Sequence, residues 1–163
     1  MILGAPGSGK STLARALGDR LGLPVVHMDQ IHYSAGWTPR PHAEKVEMVR
    51  ERVQADRWVF EGGMSSTYEL RAARADLIAL LDFPLVQRLY RVTWRTLRHH
   101  GRTRPDLPAG CPEQFDPAFF RWIVETSRRN RRRDLAFVAS HGDKGRVLRT
   151  RRQVARFLDE VAP

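Results

Sequence analysis

A glycine-rich pattern at the start of the chain limits the folds that this sequence can adopt. Residues 4–11 fit the pattern G-x-x-x-x-G-K-[ST] at every fixed position. A short apolar run precedes the pattern, and a segment with leucines at helical spacing follows it. This order of strand, glycine-rich turn and helix is typical of a loop whose backbone N–H groups bind phosphate. The sequence therefore predicts a phosphate loop over residues 4–12.

The predicted phosphate loop is expected to bind a nucleotide and Mg²⁺. Lys10 is expected to bridge the β- and γ-phosphates of a nucleoside triphosphate, and the Ser11 hydroxyl is expected to bind Mg²⁺. The predicted nucleotide-binding residues of the loop are Gly4, Ala5, Pro6, Gly7, Ser8, Gly9, Lys10, Ser11 and Thr12. Two arginines from later in the chain, Arg102 and Arg149, are expected to contribute to the same site, with Arg149 bordering the base.

The composition fits one globular domain. The chain has 163 residues, of which 42% are hydrophobic, and no uncharged apolar run is long enough to span a membrane. A single cysteine, Cys111, excludes an internal disulfide and suits a reducing cytoplasm. No signal peptide is expected, because the first residues are used by a strand and the phosphate loop. We therefore expect a cytoplasmic protein; the oligomeric state is left open.

Positive charge is concentrated in the second half of the chain. The net charge is +10, and residues 85–163, with 18 basic and 8 acidic residues, carry all of this excess. A polyanionic partner is one interpretation. An arginine-rich genome is the alternative, although it explains the one-sided placement less well.

Alternating patterns predict an α/β fold. Helices are expected over 9–21, 42–56, 64–75, 85–101, 117–133 and 151–161, and strands over 1–3, 24–29, 57–63, 77–81 and 145–149. The order predicts a three-layer α/β/α sandwich with a five-stranded parallel sheet, in one domain over 1–163 with a short lid around 99–116. The first strand is short, which leaves two alternatives open: a late start at Met1, or a clipped strand.

Three acidic residues end predicted strands, where a parallel sheet places its ligands. Glu61 is the preferred second Mg²⁺ ligand, and Asp82 is its rival. Asp29 precedes a loop-like segment and is expected to orient or deprotonate an acceptor. For each acid, a strand-end cap or an ion pair is an equal alternative. The six histidines lack metal-ligand spacing.

The predicted helix after Pro84 carries a stripe of arginines. Its members, spaced 3, 4, 3 and 4 apart, are Arg88, Arg91, Arg95, Arg98 and Arg102. The opposite side, which is expected to pack on the sheet, holds Val86, Leu89, Tyr90, Thr93 and Leu97. Because no acid occurs between residues 85 and 105, bound phosphates explain the stripe better than a solvated face does.

Several motifs together resemble the adenylate-kinase-like P-loop family labelled "DNA topology modulation protein". They are Gly4-x4-Gly9-Lys10-Ser11-Thr12, His27-Met28-Asp29, a Gly36-Trp37 loop, Trp58 to Gly62, Leu81 to Pro84, and Arg104 to Glu113. The resemblance implies nucleoside-monophosphate-kinase topology, with ATP and Mg²⁺ bound at residues 4–12. It also implies that arginines clamp the transferring phosphoryl group, here Arg91, Arg95, Arg98 and Arg102.

The chain departs from this family in two places. Glu61 stands where adenylate kinases usually have aspartate, and the Pro-Arg pair that grips a nucleoside monophosphate is absent after Gly63. Arg71 and Arg74 are candidates to replace that arginine. The literal adenylate kinase activity is therefore less well supported than the phosphate loop itself.

The leading hypothesis is an ATP- and Mg²⁺-dependent phosphotransferase acting on a small acceptor, such as a nucleotide. Its catalytic residues are expected to be Lys10, Asp29, Arg91, Arg95 and Arg98, and its metal ligands Ser11 and Glu61. The alternative is a nucleic-acid-binding regulator that uses ATP as a switch, based on the basic half and the arginines over 128–133. A weak ATPase without a dedicated acceptor is the third interpretation. No membrane partner is expected.

Overall fold

A parallel sheet of five strands forms the centre of the computed structural model, which describes residues 1–162. The strands in chain order are β1 (Ile2–Gly4), β2 (Val25–His27), β3 (Tyr33–Ser34), β4 (Thr38–Pro39), β5 (Val59–Glu61), β6 (Ile78–Leu81) and β7 (Gly145–Leu148). The sheet order is β2-β5-β1-β6-β7, and all neighbours are parallel. β3 and β4 form a separate antiparallel pair. The predicted five-stranded parallel α/β fold is confirmed.

Seven α-helices connect and cover these strands. They are α1 (Lys10–Leu21), α2 (Met28–His32), α3 (His42–Arg52), α4 (Tyr68–Ala72), α5 (Leu85–His99), α6 (Pro117–Ala139) and α7 (Arg151–Val161). α1 ends at Gly22 in the left-handed conformation, as predicted. The strand predicted over 24–29 ends at His27, and α2 replaces its last two residues and the start of the expected loop, because Met28 and Ile31 are buried in the core.

Both faces of the sheet are covered, which explains why β6 is a continuous apolar run. On one face, Ala79 and Leu81 pack with α1 and α7. On the other face, Ile78 and Leu80 pack with α4 and α6. The carboxyl ends of β1, β2 and β5 are therefore fixed beside one another at one edge. No helix within residues 1–162 is long and apolar enough to cross a membrane.

The orientation of α5 is opposite to the prediction. Arg88 is 4% exposed and Val92 is fully buried, whereas Val86 and Leu97 are 80% and 67% exposed. The expected packing of the apolar side on the sheet is therefore wrong. The reason is that α5 lies against the phosphate loop and α6 instead of a flat apolar surface. Carbonyl and carboxylate groups there accept hydrogen bonds from the arginines that face inward.

Candidate active site

The phosphate loop joins β1 to α1 and is held against α5. Gly7 has a φ of +76°, and a Cβ at this position would lie 2.3 Å from the carbonyl oxygen of Arg88. Only glycine avoids this collision and also adopts the conformation without strain. Gly9, at the N-cap of α1, has no side-chain cap, so the first N–H groups of this helix are open to an anion.

The loop also contains a buried hydroxyl group that needs a partner. Ser8 is 2% exposed, and its Oγ atom makes no hydrogen bond within residues 1–162. Buried polar groups are usually paired, because an unpaired one loses its hydration without replacement. The uncapped start of α1 and the absence of a partner for Ser8 Oγ within residues 1–162 are both compatible with a phosphate-bearing ligand at this loop.

Ser11 and Glu61 meet at the end of the sheet. The Oγ of Ser11 donates a 3.0 Å hydrogen bond to Oε1 of Glu61, and Nδ1 of His27 lies 2.7 Å from the same oxygen. Burial alone would raise the pKa of Glu61, but the bonds from His27 and Ser11 and the charge of Lys10 lower it overall. Glu61 is therefore an ionised carboxylate in contact with the hydroxyl predicted to bind Mg²⁺.

The rival acid, Asp82, is occupied elsewhere. Arg131 donates to both of its oxygens at 2.7 and 2.8 Å, and Nε of Arg149 lies 3.2 Å from one of them. Burial raises the pKa of Asp82, but these two arginines lower it overall. Arg149, which was predicted to border a nucleotide base, thus pairs with Asp82 at the ends of β6 and β7.

Asp29 lies directly after β2, in the first turn of α2. Its side chain is accessible to solvent, yet the surrounding protein atoms desolvate it, and this desolvation raises the pKa of its carboxyl group. The charge of Glu61 raises this pKa further, while Lys10 and Arg104 act against the increase. Asp29 therefore accepts a proton more readily than an ordinary aspartate does.

The segment predicted to be a lid, residues 99–116, brings two further acids to the site. Arg104 bridges them, with its Nη1 atom 2.5 Å from Asp106 and its Nε atom 2.8 Å from Glu113. Both carboxylates are buried. Oδ1 of Asp106 has no hydrogen-bond partner within residues 1–162, and the nearest cation, Arg15, is 3.6 Å away. The sequence interpretation missed both acids, although the motif from Arg104 to Glu113 contains them.

This segment rests on the loop that carries the short hairpin. The amide N–H of Gly36 donates to the carbonyl of Gly110 at 3.0 Å, and the indole of Trp37 donates to the carbonyl of Pro112 at 2.9 Å. Cys111 is buried in the same contact. The segment also packs against α5, because Glu113 accepts hydrogen bonds from Arg95 and Thr96. Its Arg104 and Asp106 are close enough to Asp29 to affect the pKa of that residue.

The arginines of the α5 stripe have different environments. Nη1 of Arg91 lies 3.3 Å from the Ser8 carbonyl, so this residue reaches the phosphate loop. Nε of Arg95 donates to Glu113 at 3.0 Å, so an acid from another segment neutralises it. Arg98 and Arg102 are exposed. No acid of α5 itself pairs with the stripe, as its sequence indicates, but Glu113 from the following segment pairs with Arg95 in the folded chain.

Both arginines suggested as substitutes for the Pro-Arg pair contact backbone carbonyl groups of the protein. Arg71 is fully buried, donates to the carbonyl of Gly62 at 3.0 Å, and lies over the rings of Phe60 and Tyr68. Desolvation lowers the pKa of Arg71 to about 10. Arg74 lies 3.5 Å from the carbonyl of Gln54. Arg71 is part of the core, where it satisfies the backbone after β5.

Comparisons with known proteins identify the fold. No protein-family model matches the chain, and no curated protein sequence matches it. A crystal structure of a gluconokinase from Sinorhizobium meliloti 1021 superposes with a TM-score of 0.57 and 16% identity, over 99% of this chain and 87% of that one. A shikimate kinase from Bacteroides thetaiotaomicron gives 0.52 and 17%, over 98% and 93%. The chain shares the fold of these two kinases, and the resemblance to the topology modulation family stays a prediction.

Proposed function

We propose that this chain is a kinase that transfers the γ-phosphoryl group of ATP to a hydroxyl group of a small acceptor. The observation that carries the proposal is the contact between Ser11 and Glu61, made beside Lys10 at the N-terminus of α1. A hydroxyl and an ionised carboxylate at this place suit Mg²⁺, which prefers oxygen ligands. The fold shared with two small-molecule kinases supports the same interpretation.

The residues of the loop have separate tasks in this proposal. Bound Mg²⁺ would supply positive charge to the phosphate oxygens. The open N–H groups of α1 and the ammonium group of Lys10 bind and orient the phosphates, and Ser11 with Glu61 holds the metal. Arg91, which already reaches the Ser8 carbonyl, adds a guanidinium group on the side of the loop that α5 covers.

Asp29 is the proposed proton acceptor. Its raised pKa suits a group that takes a proton from a hydroxyl as the oxygen attacks phosphorus. As the acceptor oxygen bonds to the γ-phosphorus, its proton goes to a carboxylate oxygen of Asp29. The bond between the γ-phosphorus and the bridging oxygen breaks, and ADP leaves with that oxygen and its electron pair.

The nucleic-acid alternative is weakened by the partners of the arginines over 128–133. Arg131 is bound to Asp82, and Nη2 of Arg133 lies 2.9 Å from Asp134. These two side chains contribute less to a positive surface than the sequence count suggests. Tight duplex binding that falls steeply with salt would favour the alternative over the kinase.

Transfer from labelled ATP to a panel of sugar acids, polyols and nucleoside monophosphates tests the proposal. We expect acceptor-dependent turnover that Lys10→Ala lowers by about 10²-fold or more. Lys144→Ala removes the same charge from an exposed turn and is expected to leave turnover unchanged. ATP hydrolysis that no acceptor accelerates would instead identify an ATPase, and no turnover at all would contradict the proposal.

A further inference from the structure

A second group of arginines surrounds a cavity between the start of α5 and the middle of α6. The cavity has a volume of about 510 Å³. Its charged lining consists of Arg88, Arg128, Arg131, Arg149 and Asp82. Ser11, Glu61 and Asp29 are not among the lining residues, although the backbone of Arg88, which lines the cavity, also contacts Gly7 of the phosphate loop.

Arg88 is the buried member of this group. Its Nε atom donates to the carbonyl of Phe83 at 3.1 Å, and its Nη2 atom donates to Oγ of Ser127 at 2.5 Å. Nη1 is buried and has no acceptor within the part of the chain that the structure describes. A guanidinium group held in this way lacks both a full set of hydrogen bonds and a direct carboxylate partner. Because Arg88 lines the cavity, its positive charge favours a negative charge there.

The remaining lining charges are also unbalanced. Asp82 is the only acid of the lining, against four arginines, which leaves an excess of three positive charges. Both oxygens of Asp82 are already bonded by Arg131 and Arg149. No carboxylate lies within 4.0 Å of the guanidinium nitrogens of Arg128 among residues 1–162. Asp82 thus holds the guanidinium groups of Arg131 and Arg149 in place, and each guanidinium group has further N–H donors that Asp82 does not use.

Apolar side chains complete the wall. Phe83, Leu85 and Val124 line the cavity together with Pro84, and half of the Val124 surface is exposed. A cavity of a few hundred Å³ with apolar walls and a few convergent charges is typical of a small-molecule site. A bare inorganic ion fits the cavity less well than an organic anion does, because it would leave the apolar walls uncovered.

We propose that this cavity binds a small organic anion, with a phosphate or carboxylate head on the arginines and an apolar or aromatic body on Phe83, Leu85 and Val124. The proposed site includes no residue of the phosphate loop among its lining residues. It therefore does not depend on the proposed kinase activity.

Phenyl phosphate and benzoate are suitable probes, because they share the aromatic body and differ in the head. Calorimetric titration of the full chain is expected to give one site for at least one of them. Arg128→Glu is expected to weaken this binding by about tenfold or more, because it places a negative charge in the lining. Arg129→Glu changes the charge equally on the neighbouring exposed residue, which does not line the cavity, and is expected to stay within about twofold.

Two further variants and a competitor establish whether the probe occupies this cavity or the phosphate loop. Val124→Asp, at a half-exposed wall position, is expected to reproduce the loss seen with Arg128→Glu. Lys10→Ala is expected to keep the wild-type affinity for the probe, and ATP with Mg²⁺ is expected not to displace it. Absence of probe binding to the wild type, equal losses in Arg128→Glu and Arg129→Glu, or displacement by ATP would each overturn the proposal.

Discussion

The hydroxyl of Ser11 donates to the carboxylate of Glu61 across 50 residues of sequence, at 3.0 Å. The contact exists because β1 and β5 are parallel neighbours, so the residues that follow their carboxyl ends share one edge of the sheet. The pair places an ionised oxygen beside the phosphate loop. Asp82, which follows β6, instead pairs with Arg131 and Arg149.

The first prediction concerns the metal. Glu61→Gln keeps an oxygen for the Ser11 bond but removes the negative charge, so the Mg²⁺ concentration needed for half-maximal ATP binding should rise by about tenfold. Calorimetry of ATP binding at a series of Mg²⁺ concentrations measures this. Asp82→Asn is the matched control and should leave the Mg²⁺ requirement unchanged. A larger effect of Asp82→Asn would assign the metal to the rival acid.

The second prediction concerns Asp29 as the proton acceptor. Asp29→Asn should lower kcat by about 10²–10⁴-fold, because the amide cannot accept the proton of the acceptor hydroxyl. In the wild type, activity should fall as pH falls through the pKa of Asp29, which lies above the usual 3.8. The acidic limb should disappear from the residual activity of the variant. An acidic limb retained by Asp29→Asn would show that another group titrates there.

The third prediction is a stability change at the same residue. Because folding raises the pKa of Asp29, the ionised carboxylate destabilises the folded state, and this cost grows as pH rises from the unfolded pKa to the folded one. Asp29→Asn should therefore raise Tm at pH 8 by no more than about 2–4 °C, since solvent screens an accessible group. The difference in Tm from the wild type should shrink as pH falls through the raised pKa of Asp29 towards its usual 3.8. A Tm lower than that of the wild type at pH 8 would contradict the prediction.

The fourth prediction tests the orientation of α5. Val92→Ala removes buried methyl groups and should lower the free energy of unfolding by about 1–3 kcal/mol. Leu97→Ala, on the exposed side of the same helix, should lower it by less than about 0.5 kcal/mol. Urea denaturation followed by circular dichroism compares the two variants. If the larger loss came from Leu97→Ala, the face predicted from the sequence would be the buried one.

Local sequence patterns were sufficient to predict much of the fold. The glycines and Lys10 of the phosphate loop, the glycine after α1 and the buried run of β6 are each encoded within a few residues, because backbone conformation and hydrophobic period act over that range. The alternation of these segments was enough to predict a five-stranded parallel sheet. Helix α2 was not predicted, and α3 ends at Arg52 and not at residue 56, because the tertiary contacts of buried residues such as Met28 help to decide where helices form and end.

The charged part of the site was decided by tertiary structure. The arginine spacing on α5 is visible in the sequence, but the side of the helix that faces inward depends on Gly7, α6 and the carboxylate of Glu113, which lie far away along the chain. Likewise, Glu61 and Asp82 both end strands, and only sheet order brings Glu61 to Ser11. The sequence thus determined the backbone conformation of the glycine-rich loop before α1, since that property is local. The partners of each charge were fixed only by folding, because electrostatic pairing depends on distance in space.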